Sequence, residues 1–107
     1  MQSDLKNILA EVKPVLQRLY GTELAEVVLY GSYARGDQNE NSDIDLLIVL
    51  KSLQSAGREI DRMVDVIYDI NLKYNTLISI IPVSYQDYIK IQSPLLCNIR
   101  KEGKKVA

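Results

Sequence analysis

Gly31-Ser32 is followed, after ten residues, by Asp43-Ile44-Asp45. In an extended chain, residues two apart point to the same face, so the carboxylates of Asp43 and Asp45 project together from Cα atoms about 6.5 to 7 Å apart. Two ionised carboxylates so close repel each other, and a hard divalent cation relieves the repulsion. Mg²⁺ favours one or two protein carboxylates and fills the rest of its coordination with phosphate oxygens and water. Gly31 has no Cβ, so backbone there can come close to a ligand, while the amide and hydroxyl of Ser32 can donate to phosphate oxygens. Ser32, where it opens a helical turn, adds the partial positive charge of that turn. The four residues read as a cradle for a metal-bound triphosphate. With each residue type at about 5 to 7% of a chain, four at fixed spacing arise by chance about once in a thousand such sequences.

The rest of the composition narrows the chemistry. Of 107 residues, 13 are basic and 14 acidic, and there is no histidine and one cysteine, Cys97. Imidazole bases, Ser-His-Asp triads and His-ligated zinc are excluded, and a single thiol makes neither an internal disulfide nor a four-thiolate site. Acid–base and metal chemistry must run on carboxylates. A net charge of −1 argues against a broad electrostatic grip on nucleic acid. Arg100, Lys101, Lys104 and Lys105 form the one basic cluster, which reads as a solvated helix end and tail. The first residues lack the basic and apolar regions of a signal peptide and no apolar run reaches membrane-spanning length, which predicts a cytoplasmic protein with no membrane contact. Hydrophobic residues at 47% and charged residues at 25% are those of a globular chain, and 107 residues suffice for one domain over 1–107.

The elements that must position the cradle follow from periodicity. Leu5, Ile8, Leu9, Val12, Leu16 and Leu19 recur at helical spacing, predicting one amphipathic helix that ends at Gly21 and bends at Pro14. Val27 to Tyr30 and Asp43 to Leu50 have strand character, separated by a polar connection, Gly31 to Ser42, that begins with a helical turn at Ser32 to Arg35. Ile60, Met63, Val64, Ile67, Ile70 and Tyr74 make a second helical stripe. Thr76 to Val83 predicts an edge strand because Pro82 lacks a donor. Short helices over Gln86 to Ile91 and from Pro94 to Gly103 complete an α/β (α+β) fold, a small mixed three-stranded sheet with packed helices.

Leu29-Tyr30-Gly31-Ser32-Tyr33-Ala34-Arg35-Gly36, followed by Ser42-Asp43-Ile44-Asp45-Leu46-Leu47-Ile48, resembles the minimal nucleotidyltransferases of the DNA polymerase β superfamily. More narrowly, the chain is similar to the antitoxin of HEPN/MNT toxin–antitoxin pairs. The resemblance covers essentially the whole chain and implies a polymerase β-like nucleotidyltransferase core. It implies an Mg²⁺-dependent transfer of AMP from ATP to a tyrosine of a cognate HEPN ribonuclease, silencing it within a hetero-oligomeric complex. Carried over by residue, Asp43 and Asp45 would be catalytic and ligate Mg²⁺, and Gly31 and Ser32 would hold the β and γ phosphates. Arg35, beside Gly36 in the polar loop, is a candidate to bind the nucleotide's phosphate or to contact the partner.

One departure stands out. The family pattern supplies a third carboxylate from the next strand, where it helps hold metal and accepts the proton of the attacking hydroxyl, yet Thr76 to Val83 contains no acid, and Ser79 takes that place by strand position. Three readings follow: a tyrosine acceptor that ionises easily enough without it, an acid brought in from Asp65, Asp69 or Asp87, or loss of activity. The last supports the alternative function, a degenerate nucleotidyltransferase fold that neutralises its partner by occlusion. Tyr33 is a candidate to pack on the nucleotide or in the core, and Cys97, beside Leu95, Leu96 and Ile99, is a candidate core residue.

Overall fold

In the computed structural model, residues 2–39 and 41–106 are described. Helix α1 (Gln2–Tyr20) buries Ile8, Val12 and Leu16 along one side, as the spacing predicts. It runs through Pro14 as one element. Proline there leaves the carbonyl of Ala10 without its helical donor. Ala10 and Pro14 both line a surface groove, where water can take that carbonyl, while the buried stripe holds the two halves of the helix on one face.

A 3₁₀ turn (Gly21–Glu23) leads into β1 (Leu24–Tyr30), the single turn α2 (Ser32–Arg35) and β2 (Ile44–Leu50). β1 and β2 are antiparallel. Helix α3 (Ala56–Tyr74) then crosses to β3 (Ile78–Ser84), which lies parallel to β2, and α4 (Tyr85–Lys90) and α5 (Pro94–Glu102) follow. Ser55, Ser84 and Ser93 each cap the helix they precede by accepting from a backbone N–H three residues on. Asn75 closes α3 in the left-handed conformation, at φ 49°.

The sheet separates two cores. On one face Val27, Leu29, Ile44, Leu46, Ile48 and Ile78 meet α1 and α3. On the other, Val28, Leu47 and Val49 meet Leu96 and Ile99 of α5, with Tyr88 of α4 packed alongside. β2 is central and buried on both faces, which is why it reads as a nearly unbroken apolar run. Asp45 is its one interruption.

β3 is the edge strand that Pro82 predicts. The N–H of Ile44 donates to the carbonyl of Leu77, so in a parallel ladder the even-numbered residues of β3 turn their backbone groups outward. Pro82 offers no donor there, and the N–H of Ile78 is already taken by Asn71 Oδ1 at 3.1 Å. The edge is thereby blunted against further strand pairing.

Two expectations are corrected. The sheet has four strands in the order β3-β2-β1-β4, because Lys104–Lys105, read as a tail, form β4 against Val28 and Leu29. The side chains stay exposed and the backbone does the pairing: the N–H of Val106 donates to Val27 O at 2.7 Å, and Gly103, where a Cβ would lie 2.6 Å from Val28 Cγ1, lets the chain return that closely. Arg100 is likewise no solvated helix end, since its guanidinium donates to the carbonyls of Tyr88 and Ile91 and ties α4 to α5. In the second stripe, Met63, Ile67 and Ile70 are buried but Val64 is 47% exposed.

Pro14→Ala should restore the missing helical donor. We expect a gain of about 1 to 3 kcal/mol, the proline's stiffening of the unfolded chain offsetting part of the full effect. Urea unfolding followed by circular dichroism checks it, and an unchanged midpoint would show that the groove already satisfies Ala10.

Candidate active site

The antiparallel register places Tyr30 opposite Asp45, so the chain leaving β1 turns directly over the start of β2. Gly31 makes that turn at φ 75° and ψ −153°, a region open in practice only to glycine. A Cβ at position 31 would lie 2.3 Å from Asp45 Oδ2. The Asp45 carboxylate therefore occupies the space that any other residue type at position 31 would need.

The N–H groups of Ala34 and Arg35 donate back to Gly31 O, both at 3.1 Å, and α2 closes at Gly36, whose N–H donates to Ser32 O. Ala34 is buried in the larger core and pins the turn. Ser32 follows Gly31 at the start of this turn. The polar loop then folds on itself: the N–H of Asn39 donates to Ser42 Oγ and that of Asn41 to Asn39 Oδ1. It delivers Asp43, exposed, immediately before buried Ile44. Asp43 is close enough to Asp45 to act on its charge, and the Gly31 backbone lies against the Asp45 carboxylate.

Arg35 lies at the rim. Its guanidinium pairs with Asp37 at 3.1 Å and with Glu102 of α5 at 3.6 Å. Both pairs are solvent-exposed and weak, so phosphate can compete for the guanidinium. Two cavities flank the corner. One, of about 310 Å³, is lined by Asp43, Ser42, Tyr33, Asp4 and the end of α3. The other, of about 210 Å³, is lined by Tyr30, Gly31, Arg35, Leu95, Asn98 and Glu102. Tyr33 packs on the core, the second of the two places considered for it, and also lines the first cavity.

Burial raises the pKa of Asp45, the neighbouring Asp43 adds to the rise, and Arg35 opposes it. The Tyr30 phenol is pushed up to about 12, chiefly by burial and then by Asp45. On the other side Asp45 is paired with Ser79 of β3. Among the described residues, none of the three distant acids considered is brought in. Asp65 and Asp69 line a groove between α1 and α3 together with Arg18, and Asp87 is exposed at the start of α4, beyond the far end of β3. Among the described residues no group of three or more His, Cys, Asp or Glu side chains is gathered to hold a metal ion. Cys97 is half-buried beside Gln92, while Leu96 and Ile99 fill the core and Leu95 is exposed. Tyr30, Asn98 and Glu102 were not legible as site residues, because only the packing of α5 against β1 brings the end of the chain to the corner.

An Mg²⁺ ion suits these residues. The donors are the carboxylate of Asp45, packed on the Gly31 backbone between Tyr30 and Ser79, and the exposed carboxylate of Asp43.

Gly31→Ala should cost about 1 to 3 kcal/mol from backbone strain alone and displace the Asp45 carboxylate; wild-type stability in thermal unfolding would contradict the contact. The pKa of Asp45 in the folded chain lies above its unfolded value. Its ionised form therefore detracts from stability at neutral pH, and the loss is recovered as pH falls through the folded pKa. Asp45→Asn should accordingly raise Tm at pH 7, and the gain should shrink on acidification. A gain that persists unchanged at pH 4 would assign it to something other than charge.

Residues 9–106 match the family described as Nucleotidyltransferase domain. Two relatives from Methanocaldococcus jannaschii, both named "Putative protein adenylyltransferase", are 38% and 36% identical; the matches cover 89% and 81% of this chain and 66% and 85% of theirs. The chain thus spans about two thirds of the first. Among solved structures, a chain of a toxin–antitoxin crystallised with AMP-PNP superposes with a TM-score of 0.63 at 20% identity, covering 92% of this chain and 72% of that one. A mutant of the MntA–HpeT toxin–antitoxin superposes at 0.60 with 19% identity and the same coverage. At such identities the structures speak for the fold alone.

Proposed function

Because the chain belongs to the nucleotidyltransferase domain family, we propose that it is an antitoxin that transfers AMP from ATP to a tyrosine hydroxyl of a cognate HEPN ribonuclease toxin and so inactivates it. One observation carries the reading: the Asp45 carboxylate packs against the Cβ-less Gly31, where β1 turns over the start of β2. The relatives' name points to a protein acceptor. The structural neighbours point to a toxin as partner.

Asp43 and Asp45 would hold Mg²⁺, which would supply neutralising charge to the α-phosphate and the departing pyrophosphate. Gly31, by lacking a Cβ, gives the Asp45 carboxylate its place beside the backbone. The amide and hydroxyl of Ser32 donate to the β and γ phosphate oxygens. Arg35 exchanges its exposed partners Asp37 and Glu102 for phosphate, a substitution that costs little because such pairs contribute about 0 to 1 kcal/mol. The acceptor hydroxyl attacks the α-phosphorus in line with the departing pyrophosphate, and no covalent enzyme intermediate is needed. Exposed Leu95 on the second cavity and exposed Ile81 on the same sheet face as Asp45 give the rim an apolar character that suits a protein acceptor.

A second reading is favoured by Ser79, which stands where a third acid would: a degenerate fold that neutralises the toxin by occlusion. Where the neighbouring gene encodes a HEPN protein, its intact mass after incubation with ATP and Mg²⁺ separates the two. Adenylylation predicts a gain of one or more AMP units that falls at least about 10²-fold in rate with Asp43→Ala or Asp45→Ala. Neutralisation that survives both substitutions without a mass change would establish occlusion.

A further inference from the structure

We propose that the outer flank of α3 is a docking surface for a cationic amphipathic helix of a partner protein, seated on the apolar row Val64, Tyr68 and Leu72 and held by the acidic row Asp61, Asp65 and Asp69 beside it. Val64, Tyr68 and Leu72 recur at every fourth residue, so they form one ridge along the helix, and they are 47%, 56% and 63% exposed. Each follows an aspartate by three residues, which makes the two rows neighbours on the helix surface. The three aspartates are exposed as well. Helix α3 packs on α1 and on the edge strand β3. The α1 side is the side of Val66 and Ile70, which line the groove between the two helices. With about 100° of turn per residue, the apolar row points to the opposite flank, away from α1.

The two rows fix the chemistry of the occupant. Large apolar side chains exposed in a contiguous row mark a seat for another surface. A ridge of every-fourth residues fits the grooves of a second helix, whereas the nearby edge of β3 is blunted against an added strand by Pro82 and Asn71. Among the described residues none of Asp61, Asp65 and Asp69 forms an ion pair. Arg62 and Lys73 of the same helix are taken by Glu59 and Glu11, and Arg18, across the groove from Asp65 and Asp69, pairs with neither. Three carboxylates without an internal counter-charge call for lysine or arginine beside the occupant's apolar row, and they repel the phosphates of nucleic acid or of an anionic lipid surface. A second copy of α3 complements them poorly: an antiparallel two-fold pairing sets one acidic row against the other, and a parallel one leaves both uncompensated. The surface is separate from the Asp45 corner. Helix α3 covers the sheet face of Leu46 and Ile48, while Asp45 shares the other face with Leu47 and Val49. The inference therefore stands independently of adenylyl transfer.

The probes are two labelled synthetic amphipathic helices that share a leucine row, one flanked by lysines and the other by glutamates, each titrated with the full chain by fluorescence anisotropy. The lysine helix should bind at least about tenfold more tightly than the glutamate helix, and added salt should narrow the difference. Tyr68→Ser should weaken the lysine helix at least about tenfold, as truncation of a central aromatic anchor does, with circular dichroism reporting that the variant is folded. The combined variant Asp61→Lys, Asp65→Lys and Asp69→Lys should reverse the preference, which separates this seat from a general attraction of cationic peptides to acidic surfaces. Where that variant does not fold, Asp65→Lys alone should cut the preference at least about threefold. Equal binding of the two helices, a lysine preference that survives charge reversal, or full affinity in Tyr68→Ser would overturn the proposal. So would a dimer in sedimentation that Tyr68→Ser dissolves, since that outcome gives the flank to a second copy.

Discussion

The contact between the Gly31 backbone and the Asp45 carboxylate is the constraint on which the site depends. It follows from the antiparallel register that sets Tyr30 opposite Asp45, and it is compatible only with a residue that lacks a Cβ and accepts the backbone angles found at position 31. Shifting the register by one residue would turn Asp45 into the main core and an aliphatic side chain toward the corner. The functional geometry and the sheet register are thus one fact.

That register is itself enforced by burial. Six of the seven residues of β2 are buried, Ile44, Leu46, Ile48 and Leu50 on one face and Leu47 and Val49 on the other. Helices on both sides leave no alternative placement that keeps this run dry. Asp45 is held at the end of β2, where α5 leaves the sheet only partly covered. Its carboxyl pays for that position in desolvation and in repulsion from Asp43. Locally unfavourable features that the surrounding packing overrules tend to gather at functional sites.

The neighbours of Asp45 divide the corner into roles. Toward β1 stand Tyr30, Gly31 and α2, with Arg35 loosely held by Asp37 and Glu102. Toward β3 stands Ser79, and beyond it a strand whose outer edge is silenced by Pro82 and by Asn71. The side toward β1 has the tight turn of α2 and the arginine. The side facing β3 has the hydroxyl of Ser79 and, further along the same face, Ile81 and Val83.

Much of this was determined by the sequence alone. Helical and strand periodicities located α1, α3, β2 and β3 because burial imposes repeats of 3.6 and 2, and Pro82 marked an edge because it cannot donate. The Gly-Ser and Asp-Ile-Asp spacing was legible because its geometry is local, two turns of chain and one strand. Only the tertiary structure decided what depends on contact between distant segments. β4 forms from two lysines because backbone pairing is indifferent to their charge, Arg100 turns inward to carbonyls that lie near only once α4 and α5 pack, and Glu102 reaches Arg35 across the whole length of the chain. Strand register, which brings Ser79 beside Asp45 and keeps Asp65, Asp69 and Asp87 away, is a property of pairing between strands, and no single stretch of sequence contains it.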